Sequence, residues 1–174
     1  MWQIAIDTPV GRLRAFANEA GLRAIVWPGC DVERYGISGR VGDGAGNDAL
    51  ACLTDQVAEY FAGTRRQFDL PLDPVGTAFQ RLAWNALRAI PYATTRTYGE
   101  QAAAIGRPSA ARAVGAANGR NPLSIVVPCH RVIGADGGLI GFAGGVGVKR
   151  FLLEHERNMV NRPSGLVLGA EHLP

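Results

Sequence analysis

The segment from Ile125 to Val132 constrains the fold more than any other part of the chain. Three β-branched residues stand directly before Pro128, and a thiol, an imidazole and a guanidinium follow it. The apolar run predicts a short buried strand. Pro128 ends that strand, because proline has no N–H to give to a sheet ladder. Cys129 is then held rigidly beside a pocket, which makes it a candidate nucleophile; a merely packed free cysteine is the alternative.

Composition sets the class of protein. With 174 residues, 47% of them hydrophobic, the chain can form one domain or two small ones around a packed core. It contains no apolar run long enough to span a bilayer and no recognisable signal peptide. Three cysteines without close spacing argue against a disulfide framework, so a cytoplasmic location is expected. No Cys or His pairs have metal-ligand spacing, so we predict neither a zinc site nor a membrane partner.

The charge is distributed unevenly along the chain. Residues 1–75 hold 7 basic and 10 acidic residues, whereas residues 76–162 hold 11 basic and 4 acidic residues. A basic second half suggests contact with a polyanion. An ordinary solvated arginine surface would produce the same composition.

The first half predicts a small α+β domain over residues 1–70. Alternating apolar residues indicate strands near residues 2–6, 12–17 and 22–27, and a glycine-rich loop follows over 28–46. A helix capped by Asn47 or Asp48 should end at Gly63. Its apolar stripe is Leu50, Leu53, Val57 and Phe61. Segment 71–76 predicts a linker, 77–162 a second domain and 163–174 a tail.

The second domain is predicted to be mostly helical. Thr77 and Gln80 form a capping-box pattern, and the helix that they begin should end at Pro91. Its expected core residues are Phe79, Leu82, Ala83, Ala86, Leu87 and Ile90. A short helix from Thr97 and another over 110–118 surround a glycine-containing turn, which is a helix-turn-helix pattern. The second of these helices is built of small residues around Arg112, so its backbone can approach a groove closely.

The end of the chain supplies a possible partner for His130. A hairpin turn at 136–138 should lead into a strand at 139–140, and a final helix should start near Val148. Its apolar stripe includes Phe151 and Leu152, and Glu156 continues that stripe inward. A thiol with a pKa near ~8.5 needs a base at neutral pH. His130, oriented by Glu156, could be that base, and a bridging water is expected because adjacent side chains point apart.

Two motifs resemble the O6-alkylguanine-DNA alkyltransferase family. One is Pro-Cys-His-Arg-Val at 128–132 with Asn-Pro at 121–122, and the other is Ala-Ala-Arg-Ala-Val-Gly at 110–115. The resemblance extends over residues 76–158. It implies an α+β protein with a small N-terminal α/β (ribonuclease H-like) domain. A winged-helix-like, mostly helical C-terminal domain with a helix-turn-helix would follow.

The family's chemistry, carried over by resemblance, assigns roles to individual residues. Cys129 would take the alkyl group from O6-alkylguanine, or from O4-alkylthymine, and keep it, so each molecule would act once and need no cofactor. The implied catalytic residues are Cys129, His130, Glu156, Tyr98 and Asn121. The implied DNA contacts are Arg112, Tyr98, Ala113, Gly115 and Ala116. The implied pocket residues are Val132, Phe142, Ala143, Gly144 and Lys149. The partner would be double-stranded DNA with alkylated bases, bound through the minor groove by a monomer that flips the base.

Two positions differ from part of the family. Phe142 and Ala143 stand where other members have Tyr and Ser, or Tyr and Arg, so contacts from those side chains would be missing. Two other functions remain open at this stage. A non-catalytic alkyl-lesion-binding protein would carry Trp in place of Cys129, and a Cys-His-Glu hydrolase would need an oxyanion hole and no DNA-binding helices.

Overall fold

The computed structural model describes residues 1–161. Arg162, at the end of the predicted second domain, and the predicted tail 163–174 lie outside the described residues.

The N-terminal part is a twisted sheet with one helix packed on it. Its strands are β1 (Trp2–Thr8), β2 (Gly11–Asn18), β3 (Gly21–Val26) and the two-residue β4 (Gly42–Asp43). The spatial order is β3-β2-β1-β4, with β1, β2 and β3 antiparallel and β4 parallel to β1. Helix α1 (Asp48–Ala62) begins where the Asn47 side chain accepts a hydrogen bond from the Leu50 N–H, and it ends at Gly63 with φ of 80°.

The C-terminal part is helical, as predicted. It contains α2 (Ala78–Arg88), α3 (Tyr98–Ala104), α4 (Ala111–Asn118) and α5 (Val146–Asn161). Capping boxes begin both α2, at Thr77, and α3, at Thr97. Helix α4 packs against both α2 and α3. The α+β, two-part architecture expected from the sequence is therefore confirmed.

The segment between the two parts is attached to the sheet. Leu22 donates its N–H to the Pro71 carbonyl at 2.8 Å, and Asp73 donates to the Leu22 carbonyl at 2.9 Å. The Asp73 carboxylate also accepts from Arg23 at 2.9 Å. Further along the same edge of β3, Ile25 donates to the Pro122 carbonyl at 2.7 Å. This last bond fixes the segment before Cys129 against the N-terminal sheet.

The predicted strand at 125–127 is wrong. This segment is a buried turn in which Val127 donates to the Leu123 carbonyl at 2.7 Å, and Ile125 has a positive φ of 75°. The β-branched run reflects burial, since both Ile125 and Val127 are almost inaccessible to solvent, and not strand geometry. The short turn Cys129–Arg131 is a 3-10 helix.

The predicted hairpin strand at 139–140 is also wrong. The turn itself forms, because Gly134 donates to the Gly138 carbonyl at 2.9 Å, but residues 139–140 then follow an irregular path. Strand β6 (Val132–Ile133) instead pairs in parallel with β5 (Arg96–Thr97). The strand after Cys129 thus joins the start of α3 and brings Tyr98 towards the Cys129 region.

Some predicted core positions are exposed. Leu82 on α2 is 44% exposed and Phe151 on α5 is 38% exposed. Both lie at the margin of the predicted apolar stripe, and the buried face of each helix is narrower than predicted, whereas Leu87 and Leu152 are fully buried. Helix α5 begins two residues earlier than predicted. Within residues 1–161, no helix is long and apolar enough to cross a membrane.

Candidate active site

Cys129 lies at the start of the 3-10 turn, and only 6% of its surface is exposed. Asn121 holds the chain that leads to it: its Nδ2 donates to the Val127 carbonyl at 2.8 Å and its Oδ1 accepts from the Leu123 N–H at 3.0 Å. Asn121 is itself buried. Its side chain therefore stabilises the turn from inside by bonding to two of its backbone groups.

His130 and Glu156 meet in the interior, although 26 residues separate them. The His130 Nε2 lies 2.8 Å from the Glu156 Oε1, and both side chains are fully buried. Burial lowers the pKa of His130, against the raising effect of Glu156, so the ring is neutral at pH 7. An ionised carboxylate only accepts, so Nε2 carries the proton and Nδ1 has a free lone pair.

The Nδ1 atom of His130 is buried and has no hydrogen-bond partner within the described residues. A buried lone pair on a neutral imidazole can accept a proton from a thiol directly or through a water molecule. This tautomer gives His130 the form that a general base for Cys129 requires.

Glu156 is surrounded by donors. Arg131 donates from Nη2 to Oε1 at 2.9 Å and from Nε to Oε2 at 3.0 Å, and the Ala93 N–H donates to Oε2 at 2.9 Å. Tyr60, on α1, donates its hydroxyl to Oε1 at 2.9 Å. Burial alone would raise the pKa of Glu156, but the contacts with His130 and Arg131 outweigh it and lower the pKa to about 2. Glu156 is thus a fixed anion that orients His130.

The thiol of Cys129 is protonated at neutral pH. Burial raises its pKa, while hydrogen bonds from Asn121 and Ser124 and the charge of Lys149 act in the opposite direction. Lys149 is fully buried, and its Nζ donates to the Ile140 carbonyl at 2.8 Å. A protonated, buried thiol needs a base before it can attack, and the adjacent cation of Lys149 favours the thiolate once it forms.

Tyr98 lies between Lys149 and helix α4. Its hydroxyl donates to the Ile140 carbonyl at 3.0 Å, and the Lys149 Nζ is 3.5 Å from the same hydroxyl. Burial raises the pKa of Tyr98, so the hydroxyl remains a donor at neutral pH. Gly115 faces the Tyr98 ring, where an added Cβ would stand 3.6 Å from it.

A cavity of about 350 Å³ separates α4 from the loop before α5. It is lined by Tyr98, Ala111, Arg112, Gly115, Ile140 and Gly141. Arg112, Ala113 and Ala116 are exposed on α4. The fold therefore places two of the predicted DNA-contact residues, Arg112 and Gly115, beside Tyr98 at a cavity large enough for a single planar base.

The other predicted pocket residues all belong to the C-terminal part, and those at 142–144 lie against the N-terminal part. Val132 is fully buried in β6. Phe142 packs edge-on against Trp27 with ring centroids 5.4 Å apart, and a Cβ on Gly144 would lie 2.8 Å from the Trp27 ring, so only glycine fits there. The Ala143 carbonyl lies 3.8 Å from the Cys30 thiol. The loop after Ile140 therefore rests on the N-terminal part.

Four residues of this region were not predicted from the sequence. Arg131 was visible as a cation beside His130, and a buried Glu156 needs such a cation, so its role could have been inferred. Tyr60 and Trp27 lie far away in the chain and had no distinguishing pattern. Ala93 was also missed; its positive φ of 59° aims its N–H at Glu156. In residues 1–161, no group of three or more His, Cys, Asp or Glu side chains could hold a metal ion.

Comparison with known proteins identifies both parts of the chain. Residues 1–74 match the model for the 6-O-methylguanine DNA methyltransferase, ribonuclease-like domain, and residues 78–158 match the model for the DNA binding domain of the same family.

Curated relatives and a solved structure agree with this match. A methylated-DNA–protein-cysteine methyltransferase of Mycolicibacterium paratuberculosis is 45% identical over 163 residues, which cover 94% of this chain and 95% of that protein. One of Methanosarcina acetivorans is 59% identical over 101 residues, 58% of this chain and 65% of that protein. The crystal structure of Mycobacterium tuberculosis OGT in complex with DNA has a TM-score of 0.83 at 43% identity, with 91% of this chain and 94% of that chain covered. The chain belongs to the 6-O-methylguanine DNA methyltransferase family.

Proposed function

We propose that this protein repairs O6-alkylguanine in duplex DNA by moving the alkyl group onto Cys129. The reaction class follows from the family, because the relatives that this chain matches are methylated-DNA–protein-cysteine methyltransferases, and we assign the same direct transfer of an alkyl group from DNA to this protein. The observation that supports Cys129 as the acceptor is the buried His130–Glu156 pair next to it, whose Nε2···Oε1 distance is 2.8 Å. Cys30 and Cys52 lack any comparable base in the described residues.

The first half of the reaction is activation of the thiol. His130 takes the Cys129 proton at Nδ1, directly or through a water, while Glu156 accepts from Nε2 and stabilises the imidazolium that forms. The Lys149 ammonium stabilises the thiolate. The Cys129 sulfur then forms a bond to the alkyl carbon as the bond from that carbon to O6 breaks.

The second half is departure of guanine. The electron pair of the broken bond goes to the guanine, which becomes a better leaving group when Tyr98 donates its hydroxyl proton towards N3 or O6. Tyr98 gives up its Ile140 acceptor to do so. The product is a thioether on Cys129, which is stable, and the absence of a hydrolytic step makes each molecule act once.

DNA binding is assigned to α4 and its surroundings. Helix α4 presents exposed small residues and Arg112, which suits the minor groove, where close backbone approach and inserted side chains matter more than base-edge recognition. Arg112 would fill the space that the flipped base leaves in the duplex. The cavity beside Tyr98 would receive the flipped base. Flipping costs a few kcal/mol, less for a poorly paired lesion, which contributes to selectivity. Ala113, Gly115 and Ala116 allow the approach.

Arg112→Ala should separate base extrusion from chemistry. We expect it to slow methyl transfer from duplex DNA by at least roughly tenfold, because the flipped state loses a few kcal/mol of support. The reaction with free O6-benzylguanine should change little, since a free base needs no extrusion. Single-turnover rates on both substrates measure this. Arg40→Ala, which removes an exposed arginine from the N-terminal part, is the control. Equal losses on both substrates would contradict the extrusion role.

A non-catalytic lesion binder is the second candidate, and Cys129 argues against it. The two are distinguished by following restored guanine against time with excess O6-methylguanine duplex. A transferase restores one guanine per protein molecule and then stops. A binder restores none, and neither does a Cys-His-Glu hydrolase that acts on acyl or amide substrates.

A further inference from the structure

Tyr60 connects the N-terminal part to the Glu156 carboxylate. It lies near the end of α1, is fully buried, and donates its hydroxyl to the Glu156 Oε1 at 2.9 Å across 96 residues of sequence. The Tyr60 carbonyl also accepts from the His155 Nε2 at 2.9 Å, so both ends of this residue are tied to α5. The ring packs against Phe68 and Tyr92.

The hydroxyl shares its acceptor with the base. Oε1 is the oxygen that accepts from His130 Nε2 at 2.8 Å and from Arg131 Nη2 at 2.9 Å. Tyr60 is thus one contact away from the imidazole. We infer that Tyr60 is a positioning residue of the alkyl transfer, contributed by the N-terminal domain, which sets the strength of the Glu156–His130 hydrogen bond. This inference rests on the proposed function of His130 as the base for Cys129.

The physical effect of the Tyr60 hydroxyl is to reduce the basicity of Oε1. A carboxylate oxygen that accepts from a third donor shares its charge and holds the His130 proton less strongly. His130 is also faced by Arg131 on its own turn and by Lys149 on α5, and both cations favour the neutral ring. Tyr60 acts in the same direction as those cations, without adding a charge. A neutral imidazole is the form that can accept the thiol proton.

Packing alone would not require the hydroxyl. Phenylalanine has the same ring and would preserve the contacts with Phe68 and Tyr92. Tyr92 provides the comparison, because its ring lies in the same cluster while its buried hydroxyl has no hydrogen-bond partner within residues 1–161. Tyr60→Phe and Tyr92→Phe therefore remove the same atom from neighbouring rings, and only the first removes a donor to Glu156.

The test measures His130 itself as well as the reaction. ¹⁵N NMR of the three histidines gives the His130 titration, and single-turnover methyl transfer from O6-methylguanine duplex is recorded against pH. In Tyr60→Phe the pKa of His130 should rise by roughly half a unit to one unit, as expected when an acceptor of its proton becomes more basic. On the acid limb of the profile the transfer rate should fall about 3- to 10-fold, because that limb moves to higher pH by the same half a unit to one unit. Tyr92→Phe should match the wild type in both.

The results distinguish a positioning role of the Tyr60 hydroxyl from a purely structural role of the Tyr60 ring. A folded Tyr60→Phe protein with an unchanged His130 titration and an unchanged pH profile would overturn the inference. A shifted titration without methyl transfer, even in the wild type, would uphold the contact and reject the proposed function. If Tyr60→Phe does not fold, 3-fluorotyrosine at position 60 keeps the hydroxyl and makes it a stronger donor. The His130 pKa should then fall, and a rise or no change would contradict the inference.

Discussion

Cys129→Ala abolishes methyl transfer, by our account, and leaves binding to duplex DNA in place. The variant has no sulfur at the position next to His130, and the exposed surface of α4 that we propose as the DNA contact is unchanged. The expected loss is complete within the limit of detection, since the alkyl group has no other acceptor beside the His130–Glu156 pair. Methyl transfer is measured with O6-methylguanine duplex, and binding with the same duplex by fluorescence anisotropy.

Cys52→Ala is the matched control for that experiment. Cys52 is exposed on α1 and accepts only a hydrogen bond from Gln56, so its removal should change neither transfer nor binding. Transfer by the Cys129→Ala protein at the wild-type rate would show that another group is the acceptor. Loss of DNA binding together with transfer would instead indicate that the 3-10 turn had not folded.

Glu156→Gln should have the second large effect, on both stability and rate. Every contact on Glu156 is donated to it, by Tyr60, Ala93, His130 and Arg131. An amide has one accepting oxygen and an NH₂ group that only donates. Some of the groups that now donate to Glu156 would therefore lie opposite this NH₂ group and lose their hydrogen bond. Arg131, buried as well, would lose its counter-charge. Removing one partner of a buried ion pair lowers the free energy of unfolding by about 3–5 kcal/mol. Loss of the orientation of the base His130 should lower the transfer rate roughly 10²-fold or more.

The control for Glu156→Gln is Glu154→Gln, the same change at an exposed position of the same helix. Urea unfolding and single-turnover transfer of both variants check the prediction. Glu154→Gln should stay within about 0.5 kcal/mol of the wild type. A Glu156→Gln protein of wild-type stability would contradict the buried network as described.

The pH dependence of stability follows from the same carboxylate. Its pKa is lowered from an ordinary 4.5 to about 2, so its contribution is complete above the unfolded value and is lost as the pH falls through about 2. That shift corresponds to on the order of 3 kcal/mol. The free energy of unfolding of the wild type should therefore decline between about pH 5 and pH 2, and Glu156→Gln should lack this part of the decline.

The sequence predicted the helices well because their signals are local. Thr77 and Gln80 form the capping box that their spacing indicates, and Gly63 ends α1 with the positive φ that glycine tolerates. The contact between Glu156 and His130 was also predictable, since a carboxylate on the apolar face of a helix needs a buried partner. Local patterns thus identified both the scaffold and the central pair of the site.

The turn before Cys129 could not be predicted in this way. Ile125, Val126 and Val127 have the composition of a strand, and burial against the N-terminal sheet requires the same residues. The chain instead turns, with a positive φ at Ile125 that a β-branched residue rarely adopts. Such strain is maintained by surrounding contacts, among them the bond from Ile25 to Pro122 and the brace by Asn121. These contacts are long-range or depend on tertiary geometry, and periodicity cannot reveal them.

Contacts between the two parts of the protein were missed for the same reason. From the sequence alone, Tyr60 is predicted to be an ordinary core residue of α1, and Trp27 is predicted to be the end of a strand. Only the folded chain shows that one donates to Glu156 and the other supports the loop at Gly144. The N-terminal domain, in which the sequence showed no chemistry, therefore contacts the candidate site at two places.

The central claim is that Cys129 accepts and keeps the alkyl group. The most direct measurement is the mass of the intact protein, and of its peptides, after reaction with excess duplex that contains one O6-methylguanine. Our account predicts an increase by one methylene group per protein, located on the peptide that holds Cys129, and no further reaction. An unchanged mass, or a methyl group on a peptide with Cys30 or Cys52 instead, would contradict it.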